Sequence, residues 1–138
     1  MPITDTLLSR LIAEAQAACA RAYCPYSGFR VGAAVLTAGG DIFAGCNVEN
    51  ASYGLTLCAE RNAVFQAAAQ GKKDITAVVV YTPTSMPSMP CGACRQVIHE
   101  FGPDAEVICV CDGPDMIRRR LSELLPEPFG PCNPRLTS

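Results

Sequence analysis

A chain of 138 residues is the usual size of one domain, and 49% apolar against 17% charged residues is a globular balance. No run approaches the ~20 apolar residues that span a bilayer, and Met1-Pro2-Ile3-Thr4 lacks the pattern of a signal peptide. A soluble, cytoplasmic protein with no membrane partner is expected. A net charge of −2, with a pI near 5.3, offers no basic face for a nucleic-acid backbone, so no nucleic-acid partner is expected.

From the amino terminus, Asp5 is positioned to cap a helix in which Leu7, Leu8, Leu11, Ile12 and Ala15 recur at helical spacing to about Cys19. The Cys24-Pro25-Tyr26-Ser27-Gly28 stretch breaks that pattern. Val31 to Leu36 and Ile42 to Val48 are β-rich runs joined through Gly39-Gly40-Asp41, which predicts an antiparallel hairpin. Asn50 to Leu55 has turn composition. Cys58 to Gln70 reads as a second helix, stopped by Gly71.

Ile75 to Tyr81, with Val78-Val79-Val80 at its centre, is continuously apolar, as a strand buried on both faces must be. A proline-rich loop from Pro83 to Pro90 leads into a third helix, Cys91 to Phe101, stopped at Gly102-Pro103. Glu106 to Cys111 is a further strand. Met116 to Leu125 fits a strand or a short helix equally, and its Arg118-Arg119-Arg120 run reads as a solvated surface. From about Pro126 to Ser138 the composition is that of an irregular tail. The order predicts a single layered α/β domain over residues 1–138, with a mixed sheet covered by helices.

Nine cysteines are many for this length. The odd count and the absent signal favour metal ligands or a redox pair over a disulfide framework. Two segments stand out: Cys58-Ala59-Glu60 and Pro90-Cys91-Gly92-Ala93-Cys94, each opening a helix. Cysteines three apart share a helix face, so Cys91 and Cys94 can chelate one ion while Cys58 approaches from the neighbouring helix. First-turn amides and the helix dipole favour thiolate, the form that binds metal.

Three ligands leave one position of a tetrahedral zinc ion open for water, and Glu60 lies close enough to act on that water as general base and then acid. Three thiolates and one Zn²⁺ sum to −1, which opposes ionisation of water. Arg61 is the first candidate to offset that charge by bonding the sulfurs, with Arg95 a weaker one. A closed structural site would need a fourth ligand, for which His99, Cys109 and Cys111 are the candidates. Cys19, Cys24, Cys46, Cys109, Cys111 and Cys132 otherwise read as packing or surface thiols.

Cys-x-Glu followed after about thirty residues by Pro-Cys-x-x-Cys resembles the zinc deaminase signature in its three-cysteine form. The chain resembles the small homotetrameric cytidine deaminases over nearly its whole length. Four regions carry the resemblance: Tyr23 to Phe29 with Val31-Gly32-Ala33-Ala34; Gly45 to Tyr53; the two cysteine segments, extended by Arg61 and by Arg95-Gln96; and Leu124 to Pro131. Met89 stands where that family commonly has Ser, and Asn62 where it has Thr or Ser.

The resemblance implies a three-layer α/β/α sandwich around a five-stranded mixed sheet, with one zinc ion per subunit of a homotetramer. It implies that Asn47 and Glu49 hold the ribose 3′-hydroxyl, that Phe29 packs on the pyrimidine, and that the Ala59 amide binds the base carbonyl. Ala51, Tyr53 and Phe129 would complete a neighbouring subunit's pocket. The implied reaction is hydrolytic deamination of cytidine and deoxycytidine in pyrimidine salvage, by zinc-bound hydroxide with Glu60 as proton shuttle. The alternatives are a deaminase of a nucleoside analogue or antibiotic, or of polynucleotide cytosines; a non-catalytic zinc-stabilised module; and a dithiol redox protein using Cys91 and Cys94.

Overall fold

The computed structural model describes residues 3–130. Helix α1 spans Asp5–Cys19 and is followed by strands β1, Gly32–Thr37, and β2, Ile42–Cys46. A short 3₁₀ turn at Tyr53–Leu55 precedes helix α2, Ala59–Ala69. Strand β3 (Ile75–Tyr81), helix α3 (Gly92–Phe101) and strand β4 (Glu106–Val110) follow, and then strand β5 (Ile117–Arg120) and the single-turn helix α4 (Leu121–Leu124). The five strands form one sheet in the order β2-β1-β3-β4-β5, antiparallel except for the β3–β4 pair. The helix α3 makes that one parallel crossover, which a tight turn cannot do.

The centre of the sheet is buried on both sides, which explains the unbroken apolar run from Ala77 to Val80 in β3. Ala33 and Val35 of β1, Val78 and Val80 of β3, and Val107 and Cys109 of β4 face α2, α3 and α4. The alternating residues Ala34 and Leu36, Ala77 and Val79, and Ile108 and Val110 face Leu11, Ala15 and Cys19 of α1. Three layers result, α1 on one face and the remaining helices on the other. Each valine of the β3 centre is at most 2% exposed, a burial that contributes on the order of 1.5–3 kcal/mol per side chain.

Local sequence sets the boundaries. Thr4, not Asp5, caps α1: its Oγ1 accepts a hydrogen bond from the Leu7 amide at 3.2 Å, and Asp5 is the first helical residue, favourably placed by charge. The β1–β2 hairpin forms as its glycine turn predicts. Helix α2 ends where Gly71 adopts φ +78°, a conformation that glycine takes without penalty. Met116 to Leu125 resolves into both of its alternatives, because Ile117 pairs with Cys109 while Leu121 is buried against the core.

The arginines of β5 lie on the sheet's outer edge, with Arg118 paired to Glu106 at 2.8 Å. Exposed like charges there discourage a second sheet from pairing. Residues 126–130 are irregular as expected, while the rest of the predicted tail, with Cys132, lies outside the described residues. No helix among the described residues is long and apolar enough to cross a membrane.

Candidate active site

Two helix starts build the centre. Cys58 is the N-cap of α2 and Cys91 the N-cap of α3; neither thiol caps its own helix, and Cys94 lies in the first turn of α3. The two helices pack side by side on one face of the sheet, which brings the three sulfurs together. All three Sγ atoms lie within 4.8 Å of one another, with Cys58 to Cys91 at 3.9 Å and Cys91 to Cys94 at 3.5 Å. Zinc–sulfur bonds of about 2.3 Å in tetrahedral geometry require sulfurs about 3.8 Å apart, so the donor set fits one zinc ion.

Among the described residues no fourth donor joins this group. His99, Cys109 and Cys111 all lie outside it, and Cys109 is fully buried in β4 with its thiol pushed up to about 12 by burial. A closed four-ligand structural site is therefore not formed within the described residues.

Of the two arginines expected to offset the thiolate charge, Arg61 reaches the cluster. Its guanidinium donates to Cys58 Sγ at 3.3 Å, and the Arg61 Nε is buried with no hydrogen-bond partner. The Cys58 thiol is pushed down to about 5, first by a hydrogen bond with Cys94 and then, against the effect of burial, by Arg61. Cys94 is pushed up by the same bond and by its burial. Arg95 plays no such part. It donates instead to the carbonyls of Pro90 at 2.8 Å and Leu124 at 2.9 Å, tying α4 to the start of α3. Replacing Arg61 with Ala is expected to weaken zinc retention and turnover together by roughly 10- to 100-fold, read by chelator competition and initial rates. Arg61→Lys, which restores the charge without the planar donor pair, should recover part of each.

Glu60, the second residue of α2, is 5% exposed. Burial pushes its carboxyl up to about 7, with the neighbouring Cys58 charge adding to the shift. A carboxyl poised near neutrality both takes and gives protons. Ala59 opens the helix and is fully buried, and as a first-turn residue its amide has no acceptor within the helix.

Asn47 and Glu49 form a second constellation around the loop 26–31. Asn47 is 7% exposed; its Nδ2 donates to the Phe29 carbonyl at 2.8 Å and its Oδ1 accepts from the Val31 amide at 2.9 Å. The Glu49 Oε1 accepts from the amides of Tyr26 at 3.0 Å and Ser27 at 3.1 Å, and Oε2 from the Ser27 hydroxyl. These bonds, led by the hydroxyl, hold the Glu49 carboxyl below its ordinary range. Both side chains thus hold the loop that carries Phe29, a use that the resemblance did not imply.

Glu49 and Tyr53 line a cavity of about 360 Å³ with Tyr26, Ser27 and Thr56. None of the three cysteines lines it. Ala51, Tyr53 and Phe129 are all exposed, Tyr53 by 75% and Phe129 by 86%. Gln96 grips the backbone of Phe129 with both ends of its amide, donating to the carbonyl at 3.2 Å and accepting from the amide at 3.0 Å. Sequence reasoning missed this grip, since its partners are separated by thirty-three positions.

Comparison with known proteins agrees with this chemistry. Residues 5–111 match the family model described as the cytidine and deoxycytidylate deaminase zinc-binding region. The chain is 49% identical over 120 residues to the cytidine deaminase of Halalkalibacterium halodurans, covering 86% of this chain and 91% of that one. The crystal structure of a cytidine deaminase from Burkholderia pseudomallei superposes with a TM-score of 0.85 at 47% identity, covering 92% of this chain and 100% of the other. That of Mycobacterium tuberculosis gives 0.79 at 43% identity, covering 94% and 100%.

Proposed function

The chain belongs to the cytidine deaminase family, and from that premise we propose a zinc-dependent hydrolase that converts cytidine and deoxycytidine to uridine and deoxyuridine with release of ammonia. The observation that carries the reading is a three-thiol cluster with no fourth donor among the described residues, next to the buried Glu60. Zinc at Cys58, Cys91 and Cys94 supplies a Lewis acid that brings the ionisation of water toward neutral pH.

The proton handling belongs to Glu60. Its carboxylate takes a proton from the attacking water and delivers it to N3 of the pyrimidine as the oxygen adds to C4. It then takes the proton of the hydroxyl now on C4 and passes it to the departing amine, so that the C4–N bond breaks, the C4 carbonyl forms and ammonia leaves. Burial excludes the bulk water that would otherwise compete for these protons. The Ala59 amide orients the base by donating to its carbonyl. Asn47 and Glu49 bind the ribose 3′-hydroxyl, amide and carboxylate together offering a donor and acceptors to an alcohol, and Phe29 packs on the ring.

We place the enzyme in the cytoplasm, in pyrimidine salvage, as a homotetramer with one zinc ion per subunit. Support for assembly comes from the large apolar side chains left in solvent by the single chain: Tyr53, Leu55 and Phe129 are each at least 67% exposed. Ala51, Tyr53 and Phe129 complete the pocket of a neighbour. Phe129→Ala is accordingly expected to raise KM for cytidine roughly tenfold and to shift the sedimentation profile toward smaller species. An unchanged profile with unchanged KM would sink the shared-pocket assignment.

The test of the reaction itself is a panel of cytidine, deoxycytidine, cytosine and modified analogues, followed by loss of ultraviolet absorbance with zinc measured on the same sample. Turnover of the two nucleosides and not of the free base is expected. A zinc-replete protein inert on every aminated pyrimidine would leave the non-catalytic module in its place.

A further inference from the structure

Strand β2 lies at the edge of the sheet, so every second backbone carbonyl along it turns away from β1 and needs another partner. Two amide side chains of α2 provide it. Asn62 Nδ2 donates to the Cys46 carbonyl at 2.8 Å, and Gln66 Nε2 to the Ala44 carbonyl, also at 2.8 Å. Residues four apart on a helix lie about one turn apart on the same face, and alternate residues of a strand advance by a similar distance, so the two bonds match in register.

These bonds are not equivalent in what they touch. Gln66 holds the middle of β2, whereas Asn62 holds the peptide that leads directly into Asn47. Asn62 is also only two residues past Glu60. Between them the backbones are in direct contact at Gly45: a Cβ there would sit 2.6 Å from the Ala63 amide nitrogen and 2.9 Å from the Ala59 carbonyl oxygen. The first turn of α2 is therefore seated on the end of β2, with Asn62 as its polar latch.

We propose that Asn62 is a positioning residue for substrate binding, fixing the segment that carries Asn47 and Glu49 relative to the helix that carries Glu60. The connection continues past Cys46. Asn47 holds both the Phe29 carbonyl and the Val31 amide, and Glu49 holds the amides of Tyr26 and Ser27. A shift of the Cys46 peptide thus moves the sugar contacts and the loop of the pyrimidine contact as one body, which meets the segment of Cys58 through the Val48–Leu57 bridge, bonded at 3.0 Å in both directions, while Glu60 stays anchored in α2.

The inference rests on the assignment of Asn47, Glu49 and Phe29 as substrate contacts, and it is tested beside it. Asn62→Ala, Asn62→Asp, Gln66→Ala and Asn47→Ala are compared with the parent enzyme for kcat, KM, zinc content and thermal unfolding. Asn62→Asp keeps the shape of the side chain and removes the donor, so it separates the hydrogen bond from lost packing. Both Asn62 variants are expected to raise KM for cytidine and deoxycytidine by about tenfold, with kcat within about twofold and zinc stoichiometric. Gln66→Ala, which loses the same kind of bond one turn farther on, should leave KM unchanged.

Three results would overturn the assignment: Asn62 variants with the parent KM, a loss confined to kcat or zinc, or an equal rise in KM for Gln66→Ala. If Asn47→Ala raises KM and the Asn62 variants do not, the positioning role alone falls. An Asn47→Ala variant with unaltered KM removes the substrate contacts on which it rests, and the role with them.

Discussion

Glu60→Gln is expected to lower kcat for cytidine by roughly 10³- to 10⁴-fold while leaving zinc content and the unfolding midpoint close to those of the parent. Glutamine has nearly the shape of the carboxyl and satisfies the same buried space, so packing around the start of α2 is retained. What it cannot do is take a proton from water. The proposed cycle uses Glu60 twice, once toward N3 and once toward the departing amine, so both transfers are lost with one substitution. In the proposed cycle the amide would keep the side chain's contact with the base, so the loss should fall on kcat more than on KM. Initial rates over a range of cytidine concentrations, with metal analysis of the same preparation, provide the measurement. Retention of more than about a tenth of the parent kcat at full zinc occupancy would show that another group moves the protons.

The regular parts of this fold were legible because each is dictated by short-range patterns. Val78-Val79-Val80 required two buried faces, and β3 has them, between α1 and the layer of α2 and α3. The cluster of Cys58, Cys91 and Cys94 was legible for a related reason: the spacing of Cys91 and Cys94 is local, and Cys58 shares with Cys91 a helix-opening context. Two ambiguities were intrinsic. Thr4 and Asp5 are both good capping residues, and only the angle at which the chain enters α1 selects Thr4. Met116 to Leu125 carries both strand and helix character because it contains one of each.

The less legible part was what the polar side chains around the substrate loop do. Asn47 and Glu49 were expected to face a ligand on the strength of the resemblance of their segment to a sugar-binding one. Their in-chain partners, sixteen to twenty-three positions earlier, depend on how the loop 26–31 folds back over the end of β2. The same holds for Asn62 and Gln96, whose amides look like ordinary surface residues of an amphipathic helix. In each case an amide or carboxylate bonds a backbone group, and a backbone group has no identity for the sequence to display.

Removal of one metal ligand has the second of the two largest expected effects. Cys94→Ala should abolish stoichiometric zinc binding and reduce turnover below detection, together with a fall in thermal stability. Cys94 is fully buried between the thiols of α3 and α2, so its loss leaves two sulfurs, one of them exposed, to hold the ion. Two thiolates also leave the guanidinium of Arg61 with less charge to compensate, which weakens the link between the two helix starts. Because zinc binds thiolates, protons compete with it, and zinc retention in the parent should decline as the pH is lowered. Chelation of the parent at mildly acid pH ought therefore to reproduce the Cys94→Ala phenotype, and adding zinc back at neutral pH ought to reverse it in the parent alone. Measured zinc near one equivalent in Cys94→Ala, with activity retained, would mean that the ion is held elsewhere and that the thiol cluster is only a packing feature.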